Sequence, residues 1–331
     1  RVINIFSFRK KVKQLKAEFV KHFKPDLVIA SSTYPFDTLI ANSIAQAAGA
    51  KFVYEVHDLW PLTPMEVGGM SRWHPFIMAM QWAENFGYKH ADKVVSLLPK
   101  AKEYMQLHGM SADKFSYISN GVAVNDWLNA QQSMPDEHLK LFQELRAQGK
   151  FVLAYAGGMG DANALDYLLD ACKSIDPQVA LLLVGDGPNK ARLIERVQQE
   201  NLQNVHFMPA IGKMQIPAFL SACDALYIGW NNLPIYRFGI CPNKLFDYML
   251  AAKPIIHSVT AGNDLVIEAD CGYSVAAEDV SAIAAVINQV SKLAQLERAE
   301  LGAHGKTYVL QQHDYAILAQ KFLASVFDTA E

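Results

Sequence analysis

The chain has 331 residues, 51% of them apolar, which is enough for two cores and too long for one small domain. Its net charge of −3 is unevenly shared: residues 1–150 carry 18 Lys+Arg against 14 Asp+Glu, residues 151–331 carry 12 against 19, and neither balance suits a nucleic-acid partner. Cys172, Cys223, Cys241 and Cys271 are scattered, without a CxxC pair or metal-ligand spacing, and no apolar run approaches the roughly 18 residues that span a bilayer, so a cytoplasmic protein without a bound metal is expected.

In chain order, Arg9, Lys10, Lys11, Lys13, Lys16, Lys21 and Lys24 interleave with Val12, Leu15, Phe19 and Val20. That spacing predicts an amphipathic helix with a basic face, either simply solvated or drawn to an anionic membrane surface. Apolar strand-like runs then alternate with helical patterns. Leu27–Ala30 precedes a helix over 36–48, Phe52–Val56 ends at a polar loop, Lys93–Leu97 precedes a helix near 99–108, and Phe115–Ile118 ends in Asn120-Gly121. Trp73, Phe76, Met80, Trp82 and Phe86 lie at helical spacing, which reads first as core packing and otherwise as a membrane-facing patch. Residues 123–150 are polar and charge-mixed, a linker with a short helix.

A second series follows. Phe151–Ala156 runs into Gly157-Gly158-Met159-Gly160 and Ala180–Val184 into Gly185-Asp186-Gly187, with further strands at 205–207, 225–228, 254–257 and 272–275. Residues 308–327 form a last amphipathic helix. Short apolar strands separated by helices predict an α/β fold: two doubly wound Rossmann-like halves of parallel sheet, facing a cleft. Ligands in such sheets lie at the carboxyl ends of the strands, where the glycines fall.

The most informative stretch is Phe238-Gly239-Ile240-Cys241-Pro242-Asn243-Lys244-Leu245-Phe246-Asp247-Tyr248-Met249. It reads as a glycine turn and a helix with Pro242 at its first position, where a missing N–H costs nothing. The amides near Asn243 to Leu245 are then outside the helical ladder and suit an anion, and Lys244 adds positive charge. Asn243 and Asp247, four apart, share a face. A diphosphate at the helix start with a ribose reaching Asp247 would satisfy both, although an ordinary helix packed by Leu245, Phe246 and Met249 fits the same letters.

These elements resemble family 4 glycosyltransferases of the GT-B fold over essentially the whole chain. Asn120-Gly121-Val122 is similar to that family's "NGV", Tyr155-Ala156-Gly157 through Ala171 to its first C-domain strand, loop and helix, and Val184–Pro188 to its "VGxGP". Asp247-Tyr248-Met249 through Lys253-Pro254 is similar to its "EAMAxGKPVI", in the form of the "SPNKLFEYM" subgroup of bacterial O-antigen, capsule and exopolysaccharide transferases. The resemblance implies an N-terminally truncated, incomplete acceptor-side domain (1–122), a linker (123–150), a nucleotide-sugar domain (151–305) and a helix returning to the first domain (306–331). It implies transfer of a sugar, for instance an N-acetylated deoxyamino hexose, from a UDP-linked donor to a glycan or polyprenyl-linked acceptor. No cofactor beyond the donor is implied, and the place is the cytoplasmic side, with peripheral association at the inner membrane. Two departures stand out. The family's paired glutamates fall on Gly239 and Asp247, and its diphosphate-clamping Arg and Lys have no match in Gly157–Asn163, leaving Lys244 with Arg237 as a second candidate.

The nucleotide-sugar site is thus expected from Gly157, Gly158, Gly160, Gly185, Pro242, Asn243, Lys244, Asp247 and Arg237. The glycines permit close backbone approach to phosphate or sugar, though Gly185-Asp186-Gly187 is equally a tight turn. Met208–Ile211 would meet a nucleobase edge by resemblance. His57 and Asp58 close a buried strand, and His57 matches the family's "HD" histidine. An imidazole there could move a proton or bond a sugar hydroxyl, with Asp58 orienting it or acting as base; a capping Asp58 and a structural His57 are the plainer alternative. A GT-B sugar-nucleotide 2-epimerase and a non-catalytic sugar-binding protein are the rival functions.

Overall fold

The apolar runs become parallel strands in two sheets. The computed structural model describes residues 2–31, 34–130 and 132–327, so the last residues of the expected terminal helix, 328–331, lie outside them. The chain divides into two compact units. One holds residues 1–119, 234–241 and 318–331; the other holds 120–233 and 242–317.

The first unit contains α1 (Val2–Phe23), β1 (Leu27–Ser31), α2 (Asp37–Ala48), β2 (Lys51–Val56), α3 (Leu62–Glu66), α4 (Pro75–His90), β3 (Lys93–Ser96), α5 (Lys102–Leu107) and β4 (Phe115–Tyr117). Its sheet runs β1-β2-β3-β4, all parallel. Among the described residues this order never reverses, so the expected double winding and its switch point are not seen in this sheet. Strand alternation sorts β2 and β3 between two faces. Phe52, Tyr54, Val56 and Val94 pack with Tyr88 and Met105 of the helices, while Val53 and Val95 turn to Val326 near the chain's end.

On α4 the buried residues Ile77, Met80, Ala83, Glu84, Gly87 and Tyr88 follow the three- and four-residue spacing of one helix stripe. The same spacing carries Trp82 outward, 58% exposed, and Trp73, in the turn before the helix, is 67% exposed, so these two tryptophans are surface and not core.

The second unit contains α6 (Val124–Leu128), α7 (Asp136–Ala147), β5 (Phe151–Ala156), α8 (Leu165–Ala171), β6 (Val179–Val184), α9 (Lys190–Gln199), β7 (Val205–Met208), α10 (Ile216–Ala222), β8 (Ala225–Gly229), α11 (Asn243–Leu250), β9 (Ile255–Ser258), α12 (Leu265–Glu268), β10 (Gly272–Val275), α13 (Val280–Lys292) and α14 (Gln295–Gln312); α15 (Tyr315–Phe327) then crosses into the first unit. The expected linker is therefore structured: α7 buries Phe142 and Leu145. The expected single terminal helix is two, broken at His313, whose imidazole meets the Asn120 carbonyl (3.2 Å).

The sheet order is β10-β9-β8-β5-β6-β7, all parallel. β5, β6, β8 and β9 are buried along their whole length, as continuous apolar runs in a sheet covered on both faces must be. The order reverses between β5 and β8, which opens a crevice at their carboxyl ends.

One buried group makes the first unit pH-sensitive. Glu84 is wholly buried and accepts hydrogen bonds from the Tyr88 hydroxyl (2.9 Å), the Gln81 amide (2.8 Å) and the Tyr104 hydroxyl (3.1 Å). Burial pushes its carboxyl up from 4.5 to about 8. Between those values the unfolded chain has lost this proton and the folded chain keeps it. Stability is therefore full below the lower value and falls as pH rises toward the upper one, by at most ~1.4 kcal/mol per pH unit. Glu84→Gln should flatten the slope of urea stability between pH 5 and 8; an identical slope in the variant would show that Glu84 ionises normally.

Candidate active site

The crevice of the second unit is built by side chains that lock β5 to α11. The Tyr248 hydroxyl accepts from the Ala156 amide (2.8 Å) and donates to the Ala156 carbonyl (3.2 Å), tying the last residue of β5 to the helix. One residue back, the Tyr155 hydroxyl donates to the Gly158 carbonyl and so shapes the glycine loop. The same hydroxyl accepts from Lys244 Nζ (2.9 Å), and Lys244 Nζ also donates to Asn163 Oδ1 (2.6 Å). The ammonium lies 4.6 Å from the Tyr155 ring centroid, directly beneath Gly157.

The partners of Lys244 among the described residues are neutral, and no carboxylate pairs with it there. Burial depresses its pKa from 10.5 to about 8. One turn on, the half-buried Asp247 carboxyl has no hydrogen-bond partner among the described residues, and burial raises it from 3.8 to about 6, with Lys213 pulling it back. Helix α11 thus carries a cation and an anion that the fold leaves unpaired.

The helix start differs from expectation in detail. Pro242 is the N-cap, with extended backbone, and Asn243 begins the helix. The Leu245 amide is taken by the Pro242 carbonyl (3.1 Å), leaving the Asn243 and Lys244 amides outside the helical ladder.

Beside this helix, a depression of about 240 Å³ is lined by Gly157, Gly158, Gly185, Asp186, Ala210 and Ile211, at the ends of β5, β6 and β7. Its walls are laced together: the Gly157 amide donates to the Val184 carbonyl (2.9 Å) and the Met159 amide to the Asp186 carbonyl (2.8 Å). The loops approach so closely that a Cβ on Gly185 would sit 2.0 Å from the Gly157 carbonyl oxygen.

The first unit carries its own polar cluster at the ends of β1 and β2. Parallel register sets Ser31 beside Glu55, and strand alternation brings His57 back to the Glu55 face. His57 Nε2 lies 2.9 Å from Ser31 Oγ and 3.3 Å from Glu55 Oε2. The pairing with Glu55 raises the His57 pKa against the effect of burial, and the bond from His57 lowers that of Glu55. The contacts to the imidazole come from Ser31 and Glu55, not from Asp58. Asp58 is exposed with no side-chain hydrogen bond among the described residues; desolvation lifts its pKa and His57 draws it down.

Two family descriptions match: "Glycosyl transferase 4-like domain" over residues 3–121 and "Glycosyl transferases group 1" over residues 150–292. The chain belongs to the group 1 glycosyltransferases. It is 21% identical to the probable glycosyltransferase WbjE of Pseudomonas aeruginosa, over 90% of this chain and 74% of that one. It is 22% identical to the putative colanic acid biosynthesis glycosyl transferase WcaI of Escherichia coli (strain K12), over 81% and 67%. In fold it is similar to Anabaena Alr3699/HepE, solved in complex with UDP-glucose, with a TM-score of 0.71 at 20% identity over 95% of this chain and 82% of that one. The fold is thus that of GT-B glycosyltransferases.

In this glycosyltransferase the structure gathers Gly157, Gly158, Gly185, Pro242, Asn243, Lys244 and Asp247 around the β5–α11 crevice, with Gly160 at the end of the glycine loop. Arg237 is placed differently. It belongs to the first unit, where its guanidinium grips both Glu66 oxygens (2.7 Å each) and the Pro234 carbonyl (2.7 Å) and covers the Phe238 ring (4.3 Å). Sequence reading missed Tyr155, Asn163 and Glu55. Of these only Glu55 left a signal, two residues before His57 on a strand. Among the described residues no group of three or more His, Cys, Asp or Glu side chains could hold a metal ion.

Gly185→Ala should cost about 2–4 kcal/mol, because backbone must move to admit the methyl group. Gly158→Ala, with open space at its Cβ, should change thermal stability little. Equal losses in calorimetry would contradict the laced-loop geometry.

Proposed function

We propose that this glycosyltransferase binds a UDP-linked sugar in the β5–α11 crevice and transfers the sugar to a glycan or polyprenyl-linked acceptor in bacterial surface polysaccharide synthesis. The observation that carries the reading is the unpaired Lys244 ammonium under the glycine loop, beside the Asn243 and Lys244 amides. A buried cation with only neutral partners is costly, and a diphosphate is the ligand that would offset it there. The same donors would take up the negative charge that grows on the leaving diphosphate as the glycosidic bond breaks. Asp247, one turn further, would accept from the ribose hydroxyls, and the depression lined by Ala210 and Ile211 would receive the base.

The resemblance of Cys241–Met249 to the subgroup motif supports an N-acetylated deoxyamino hexose as the transferred sugar. The relatives named for surface polysaccharides support the pathway class. The acceptor side falls to the first unit with His57. A peripheral membrane contact there is supported by the basic face of α1 and by the exposed Trp73 and Trp82. No helix among the described residues is long and apolar enough to cross a membrane. Flotation with anionic vesicles at low salt should carry the chain up the gradient, and Trp73→Ala with Trp82→Ala should reduce that fraction; a wild-type chain left at the bottom would end the membrane part of the proposal.

For the nucleotide, Lys244→Ala should weaken UDP binding about 10- to 100-fold and Asp247→Asn about 10-fold by calorimetry. The signs of the two shifts fix the pH window: the ammonium is lost above about 8 and the carboxylate below about 6, so UDP affinity should peak between them. Unchanged affinity in both variants would remove the site. Product analysis with and without acceptor separates transfer from 2-epimerisation.

A further inference from the structure

We propose that Glu55 is a positioning residue that, with Ser31, holds the His57 proton on Nε2 and leaves Nδ1 as the acceptor presented to the substrate side. Three atoms carry the inference: His57 Nε2, Ser31 Oγ and Glu55 Oε2.

His57 Nε2 faces two oxygens, Ser31 Oγ at 2.9 Å and Glu55 Oε2 at 3.3 Å. The Glu55 carboxylate can only accept, so the ring nitrogen 3.3 Å from its oxygen favours a proton over a lone pair. Ser31 Oγ, able to donate or accept, then accepts from that N–H. A bare Nε2 lone pair would instead face a carboxylate oxygen. The arrangement consistent with both contacts has Nε2–H donating to Ser31 with the Glu55 carboxylate beside it.

Both oxygens sit at the same ring nitrogen. The cluster is therefore not a Ser-His-Glu hydrolytic triad, in which nucleophile and carboxylate occupy opposite nitrogens. Nδ1 has no partner among the described residues, and the side chain is 38% exposed. In the neutral ring Nδ1 carries the lone pair, so His57 can accept a hydrogen bond or a proton from an incoming hydroxyl. The proton taken at Nδ1 makes an imidazolium whose charge Glu55 already faces. The other charged group acting on the ring is Asp58, which favours the same imidazolium and also raises the pKa of Tyr236.

Nitrogen-15 and proton NMR of the full chain tests this without any substrate, with the His57 signals assigned by their loss in His57→Asn. Wild type should show a neutral ring protonated on Nε2 and a pKa above the ordinary histidine value. Glu55→Gln, isosteric and able to donate its own N–H to Nε2, should move the proton to Nδ1 and lower the pKa by about one unit; Ser31→Ala should lower it less. Backbone spectra and UDP calorimetry of Glu55→Gln should match wild type, and Lys244→Ala should leave the His57 titration in place, so failure here is distinct from failure of the nucleotide site. A wild-type neutral ring protonated on Nδ1, or a Glu55→Gln ring with unchanged tautomer and pKa, would overturn the proposal.

Discussion

The ammonium of Lys244 is the constraint around which the second unit is arranged. It is withdrawn from water, held by a phenol and an amide oxygen, and matched by no anion among the described residues. Desolvation of a cation without a counterion costs free energy that folding must find elsewhere. The surrounding packing supplies it: Leu245, Phe246, Tyr248, Met249 and Leu250 of the same helix are all buried, each apolar side chain contributing on the order of 1.5–3 kcal/mol. The helix is anchored by one face so that the other can remain electrostatically unfinished.

Geometry follows from topology. The sheet order reverses between β5 and β8, so the loop after β5 and the helix that follows β8 meet at one crevice. The double hydrogen bond of Tyr248 to Ala156 makes that meeting rigid, and the contact of the Gly185 and Gly157 loops fixes the opposite wall. The first unit has no such reversal among its described strands. Its cluster comes from strand alternation and register, with a serine and a glutamate adjacent across two strands and a histidine two residues along.

Much of this was legible in the sequence, because the physics involved is local. Uninterrupted runs such as Leu181-Leu182-Leu183 can only be fully buried strands, and the cysteine–proline–asparagine–lysine stretch marks a helix start by its own chemistry. What was not legible depends on residues far apart in the chain. Tyr155 and Asn163 are about eighty or more positions from Lys244, and nothing in their neighbourhood announces a cation partner. The partner of Arg237 is equally remote: Arg237 is five residues from Pro242 in sequence, yet Glu66, 171 positions away, holds it. Trp82 sits two residues beyond buried Met80, and aromatic content alone cannot say which side of the helix faces the core.

The polar side chains of this chain fall into two groups by how their charge is answered. Arg237 with Glu66, and Arg196 with Asp166, Asp170 and Glu200, are satisfied within the fold, so a ligand would have to break existing bonds to use them. Lys244 and Asp247 are only partly hydrated and have no ion-pair partner among the described residues, so a ligand carrying the complementary groups gains interaction without breaking an ion pair. His57 stands between these cases, with one nitrogen committed and the other open. An open nitrogen backed by a fixed carboxylate is suited to exchange a proton, whereas an unpaired ammonium is suited to bind a charge. The proposed division of labour between the units, proton handling in one and anion binding in the other, would follow from that difference in compensation.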